Sequence, residues 1–499
     1  MQRTVLDALN EPPMQRFYLC LLLTLGCASS TGVWREVVTP HFVVRTDLDA
    51  EIARRAGATL ELNRDMLVSA AWPRTEIPEW ARTEVYVLDA VDFQRTFGEK
   101  TESLSAGGVP EQFYFYGDPG RWETRSSLAL SAVSALRFHL TQRIGQLIYP
   151  DGPRWFHTGV SLFLETLHLS ADGKSVVLGA VNAEQLANYA RHRTVSLAQL
   201  LSWKNDDSQE TWGLDGMSWL FVHWLINARP EPFSRYRGEL MRGAGAQSAF
   251  ATAFPGLDLE TTDQELFRYS KHGEYGELTV PLAATAYTPV ERLLTPSDLH
   301  VVQARMGNAS WMTNPGTRTK EMVAQKFREQ IDEALALDPT NVTALWADDW
   351  SPLPQRLTRV RAAAAAHPED ARAWELLGYL LDKTQPGCAE EESAYRKALA
   401  LAPNNPHVMV GLAWLLQDQG RWSQAMPLVM KAIKSAPSEP YVLDTYAAVM
   451  FKAGSCTNAV AAQLKAVGHL TNVGRQENPQ IEKRLSEYQL ACARRKARR

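Results

Sequence analysis

The stretch Trp374-Glu-Leu-Leu-Gly378 decides the fold of the C-terminal third, because the pattern it opens returns twice further along the chain. Tyr395, Ala398 and Pro403 complete its unit. The next unit supplies Leu412, Ala413, Gly420, Ala425, Ala432 and Pro437, and the one after it Tyr446, Ala447, Gly454, Ala459 and Ala466. Pro339, Pro368, Pro403 and Pro437 each follow an Ala-rich helical turn, at spacings of 29, 35 and 34 residues. Proline cannot continue a helix, so each marks a stop. A unit of this length holds two helices that cannot bury their apolar faces alone, so successive units must stack.

Three units in register at a 34-residue period resemble the tetratricopeptide repeat (TPR). Residues 321–499 are therefore expected to form an all-α TPR solenoid with a C-terminal capping helix. The resemblance implies a protein or peptide partner, held on the concave face made by the first helix of each pair. On this register that face carries Arg372, Glu375 and Tyr379, then His407, Val410 and Trp414, then Tyr441, Asp444 and Phe451. Trp414 is expected at the centre of an exposed aromatic groove. The Lys and Asn of the carboxylate-clamp repeats are missing, so the groove suits a partly apolar peptide.

Upstream, the pattern changes. Val37-Val-Thr-Pro-His-Phe-Val-Val-Arg45 is rich in β-branched residues, 48–71 has helical spacing, and Thr83-Glu-Val-Tyr-Val-Leu88 alternates again. Glu111-Gln-Phe-Tyr-Phe-Tyr116 reads as a further strand. Helical patterns follow at 123–149, 155–169, 217–228 and 235–254. A small sheet followed by helices predicts an α+β domain over residues 34–282. Four prolines and no sustained period between 278 and 315 place a linker at 283–320.

The order of these pieces, with Pro153-Arg-Trp-Phe-His-Thr-Gly159 opening one helix and Ser218-Trp-Leu-Phe-Val-His-Trp-Leu225 in another, resembles the peptidase MA-like, gluzincin-type domain. That resemblance implies a zincin-like fold. Active members of such a family carry H-E-x-x-H on the first helix and a Glu in the next segment, a set that holds zinc and activates its water. Here the matching positions read Phe138-His139-Leu140-Thr141-Gln142, and Thr158 stands where the Glu belongs. Phe138 has no lone pair, Gln142 is a poor zinc ligand and Thr158 has no carboxylate. The domain is therefore expected to be a pseudopeptidase with no catalytic residue, metal or cofactor. A rearranged metal site from His139, His157, Glu165 and His168, and a decoy that holds peptides uncut, are the two alternatives.

Composition excludes other classes. Apolar residues make up 45% and charged residues 22% of 499, with a net charge of -4, which fits globular domains and gives no basic surface for nucleic acid. From Met14, the better start, the chain reads Met-Gln-Arg-Phe-Tyr-Leu-Cys-Leu-Leu-Leu-Thr-Leu-Gly-Cys27-Ala-Ser-Ser30. One Arg, a short apolar run and a small residue before cysteine resemble a bacterial lipoprotein signal. Residues 1–27 would then be leader and signal, Cys27 the acylated residue, and the mature chain anchored by lipid in the envelope, at the periplasm or outer membrane. Export leaves Cys388, Cys456 and Cys492. Cys456 begins the second helix of the last repeat and Cys492 ends the final helix, so antiparallel neighbours would bring these two into a disulfide.

Overall fold

The computed structural model describes residues 33–78, 81–89, 111–116, 126–129, 133–203, 212–273, 275–313, 317–470 and 478–497. The proposed start at Met14 and acylated Cys27 lie outside these residues. Among the described residues no helix is long and apolar enough to cross a membrane.

The N-terminal sheet begins as the alternation requires. Strands β1 (Arg35–Val38) and β2 (Phe42–Thr46) pair antiparallel, and β2 buries Phe42 and Val44 on one face. Helix α1 (Ala50–Ala71) covers that face with Ala53, Ala56 and Leu60, and its N-terminus is capped by Asp49, which accepts from the Ile52 amide at 2.8 Å. The crossover through α1 lets β3 (Thr83–Asp89) lie parallel to β2, while β4 (Glu111–Tyr116) and β5 (Ser126–Ala129) continue antiparallel.

Helices α2 (Val133–Ile148) and α3 (Arg154–Leu164) follow, then a second small sheet opens with β6 (His168–Leu169) and β7 (Ser175–Leu178). Helices α4 (Ala183–Arg191), α5 (Leu197–Leu201), α6 (Trp212–Ala228), α7 (Pro230–Met241), α8 (Ala246–Ala253) and α9 (Leu259–His272) complete the layer. Aromatic rings fill the core they enclose. Trp155 stacks on Tyr236 at 5.7 Å and tilts against Phe221 at 5.2 Å. Helices α3 and α6 touch so closely that a Cβ on Gly159 would lie 2.5 Å from the Ser218 carbonyl oxygen. Three of the expected helices differ, the one over 155–169 ending at Leu164 before β6. The pattern from 123 belongs partly to β5, and the one from 235 divides at Gly243, whose φ of +79° ends α7 in a left-handed turn.

The segment expected as a linker is instead built into the domain. Strand β8 (Leu278–Pro281) pairs with β7, the chain then runs extended along α1, and β9 (Val290–Leu293) joins β1 antiparallel, giving the order β5-β4-β3-β2-β1-β9. Polar residues of α1 hold it there. Ser69 Oγ accepts from the Ala283 amide at 3.0 Å, Asp65 accepts from the Thr285 amide at 2.6 Å and its hydroxyl at 2.9 Å, and Arg54 pairs with Glu291 at 3.1 Å. Side-chain acceptors take the place of apolar periodicity, which is why the segment carries no pattern of its own.

From β9 the chain enters α10 (Pro296–Thr313), the first helix of the solenoid, upstream of the expected boundary at 321. Val302 of α10 buries against Tyr86 and Leu88 on β3, with Leu294 and Trp34 beside them. Around this contact Glu36 pairs with Arg45 and Arg292, both at 2.7 Å, and Glu84 pairs with Arg45 at 3.1 Å and with Arg305. Burial alone would raise the Glu84 carboxyl, but Arg305 and Arg45 pull it far below the usual carboxylate range.

Helical hairpins then stack: α10 with α11 (Lys320–Leu337), α12 (Val342–Ala347) with α13 (Leu353–Ala366), α14 (Ala371–Thr384) with α15 (Ala389–Leu401), α16 (Pro406–Asp418) with α17 (Trp422–Ser435), and α18 (Pro440–Lys452) with α19 (Cys456–His469). Helix α20 (Pro479–Ala497) closes the end. The repeat glycines have a steric cause: a Cβ on Gly378 would meet the Tyr395 ring at 2.9 Å, and one on Gly411 at 2.5 Å. Cys456 and Cys492 are bonded, with Cα atoms 5.6 Å apart, and Cys388 is a free thiol capping α15.

Removing the charge at Glu84 takes a carboxylate from Arg305 and Arg45 in a mostly buried contact, where Arg45 keeps Glu36. Glu84→Gln is expected to lower unfolding free energy by about 3 kcal/mol in a denaturant titration near neutral pH. Since the folded carboxyl titrates below its unfolded value of about 4.3, the contribution is complete above that pH and is lost as pH falls, so wild type and variant should converge in acid.

Candidate functional site

The first helices of successive hairpins lie side by side and form one face of the solenoid. At its middle Tyr379 of α14 is 44% exposed, stacked on Trp346 of α12 with ring centroids 6.4 Å apart. The Lys383 ammonium lies 5.4 Å from the Tyr379 centroid. Trp346 donates its indole N–H to the Arg372 carbonyl at 3.1 Å, and the Arg372 guanidinium pairs with Asp370 at 2.7 Å. This part of the face presents aromatic rings edged by cations.

The other expected groove residues serve the stack itself. Glu375, 4% exposed, accepts from Asn405 Nδ2 of the next repeat at 3.0 Å. Asp444, 2% exposed, accepts from Arg484 Nε on α20 and from Gln463, both at 2.7 Å. Val410 is buried, His407 half-buried, and Phe451 stacks on Tyr488 at 4.4 Å. Trp414 is half-buried against the cluster of Met409, Val410, Ala432 and Val442, with Arg484 5.7 Å above its ring, in place of the open position expected for it. Tyr441 remains 39% exposed, its hydroxyl donating to Asn478.

Trp346, Lys383 and Arg484 were not among the residues expected from sequence. Tyr379 and Trp414 stand 35 residues apart and occupy matching places, each eight residues into the first helix of its repeat, whereas Trp346 lies one turn earlier in the shorter α12.

In the N-terminal domain, the positions expected to hold peptidase chemistry are spread among core contacts. On α2, Phe138 and His139 meet edge to face at 5.3 Å, and Gln142 is half-buried. Thr158 on α3 is buried. His157 Nε2 lies 3.1 Å from the Tyr149 carbonyl oxygen, Glu165 accepts from Asn182 Nδ2 at 3.0 Å, and His168 is exposed on β6. Burial pushes the imidazoles of His139 and His157 down to about 4, so both rings are neutral at pH 7. Among the described residues no three His, Cys, Asp or Glu side chains converge where they could hold a metal ion. A further histidine is wholly internal. His223 on α6 bonds the Tyr269 hydroxyl at 2.9 Å and the Gly179 carbonyl at 3.1 Å, tying α9 and the end of β7 to α6.

The Tetratricopeptide repeat family matches residues 392–449, from within α15 to within α18. No curated protein matches the chain. Among solved structures, PilW, a type IV pilus biogenesis factor, is 18% identical, with 41% of this chain and 92% of that chain covered and a TM-score of 0.30. PilF of Pseudomonas aeruginosa is 16% identical over 37% of this chain and 96% of its own, with a TM-score of 0.27. Yeast Tom70 is 14% identical over 68% and 66%, also at 0.27.

With Phe138, Gln142 and Thr158 at the positions expected from the resemblance to hold ligands, and His139 and His157 committed to internal contacts, the purified chain should carry far less than one zinc per molecule. Elemental analysis finding one tightly held zinc per chain would restore the metallopeptidase reading.

Proposed function

We propose that this chain is a non-catalytic scaffold of the bacterial envelope, anchored by lipid at Cys27, whose TPR array holds a protein partner while a pseudopeptidase domain supports it. The observation that carries the reading is the stacked pair of Trp346 and Tyr379, of which Tyr379 is the more exposed. A ring held by a stacked neighbour has already lost its rotamer freedom, so covering it costs little entropy and gains a large area. Cations over or beside the rings favour a peptide with carboxylates near an aromatic or aliphatic anchor. The N-terminal domain fits a supporting role, because its polar side chains are spent on holding α1, β9 and α6 in place.

Two substitutions separate binding from packing. Tyr379→Ala removes exposed area and should leave the thermal midpoint nearly unchanged while weakening capture of the envelope partner by about thirtyfold, the effect of losing a ~2 kcal/mol anchor. Trp414→Ala, by contrast, opens a void beneath Arg484 and should lower the midpoint. Unchanged partner capture by Tyr379→Ala in pull-downs would end the groove reading. For the anchor, metabolic labelling with a fatty-acid probe should mark the wild-type chain, and Cys27→Ser should abolish the label and release the chain from the membrane fraction; label retained by Cys27→Ser would refute it.

A further inference from the structure

Both ends of the solenoid touch the N-terminal domain, and the two contacts differ in kind. At the near end, β9 is hydrogen-bonded into the sheet and α10 buries apolar side chains against β3. At the far end, the last turns of α19 meet the turn between α2 and α3. There Lys465 Nζ lies 2.5 Å from one oxygen of Asp151, and His469 Nε2 lies 3.6 Å from the other. Lys434 on α17 approaches Glu76 at 3.9 Å, with both side chains more than four-fifths exposed. Among the described residues, no buried apolar cluster joins α17, α19 or α20 to the N-terminal domain. Among the described residues, the contacts that join the far end to the domain are these ion pairs.

That difference has a physical consequence. Ion pairs open to solvent contribute about 0–1 kcal/mol and are screened by salt, and those at Asp151 are partly open, with Lys465 42% and Asp151 21% exposed, whereas the near contact combines strand pairing with buried apolar area. Between them lies a solenoid in which each repeat touches chiefly its neighbours, a geometry that bends as a spring does. The Asp151 turn is itself rigid: the Gly152 amide donates to the Tyr149 carbonyl at 2.8 Å, and a Cβ on Gly152 would collide with His157. The carboxylate is therefore presented from a fixed seat. Its acidity is raised by the neighbouring His469 imidazole and by the Lys465 ammonium.

We infer that the far end of the solenoid is a salt-sensitive latch, in which α19 closes onto the α2–α3 turn through Lys465, His469 and Asp151 and swings free while α10 stays docked. Opening relaxes the curvature of the array and changes the spacing of Trp346, Tyr379 and Trp414. The inference stands on the two contacts alone and holds whether or not the groove binds a protein.

The test uses the full chain with spin labels introduced as non-canonical residues at two exposed positions, Ala461 on α19 and Arg235 on α7, so that the cysteines stay untouched. Double electron–electron resonance should give a short distance at about 0.1 M salt and a longer one gaining population at about 1 M, where the Debye length shrinks from roughly 10 to 3 Å. Lys465→Glu at low salt should lower the closed-to-open ratio by about fivefold or more. The exchange Asp151→Lys with Lys465→Glu should bring it back. A distance distribution unchanged both by salt and by Lys465→Glu overturns the latch, as does a Lys465→Glu effect that the exchange leaves in place. The salt titration needs no variant, so a misfolded substitution cannot protect the idea.

Discussion

The antiparallel pairing of β9 with β1 sets residue 35 opposite residue 293 and residue 38 opposite residue 290. The first strand of the chain is thereby placed between β2 and a strand made after the whole N-terminal domain. Until β9 arrives, β1 is an open edge with unpaired amides and carbonyls. The same pairing aims the chain directly into α10, whose burial against Tyr86 and Leu88 fixes the direction in which every later hairpin stacks. The Glu36, Glu84, Arg45, Arg292 and Arg305 network surrounds that junction, so charges which would be costly alone are neutralised in one place. Domain and solenoid form a single load path.

What the sequence made legible follows from where steric demands repeat. Gly378 faces the Tyr395 ring, while Gly420 and Gly454 take the left-handed turn between paired helices, and because the turn glycine returns at a 34-residue spacing the stacked hairpins could be read directly. The hairpin before them was less visible because α12 is only Val342–Ala347, too short for a full set of repeat positions. The tie between 278 and 296 was not legible at all. It depends on Asp65 and Ser69, which in a one-dimensional reading are ordinary polar residues of a helix.

The candidate groove divides along the same line. Periodicity assigns a residue to a helix face, but the occupancy of that face depends on what the next helix lays over it. Tyr379 has Lys383 and Trp346 for neighbours and stays open, whereas Asp444 and Trp414 lie under Arg484 from α20. In the N-terminal domain, the engagement of His157 with Tyr149 and of His223 with Tyr269 required the tertiary structure.

A linear stack of repeats ordinarily melts from its tips, because a terminal repeat has one neighbour where an internal repeat has two. Here neither tip is loose. One is woven into a sheet, and the other is stitched by the bond between Cys456 and Cys492. Fraying is thus displaced inward, toward segments with the least local hydrogen bonding: short α12, and α17, where Pro427 within the helix lacks an amide proton to donate. Under mechanical load or protease attack the array would part first between its two ends, leaving the sheet-bound and disulfide-closed ends folded on the fragments.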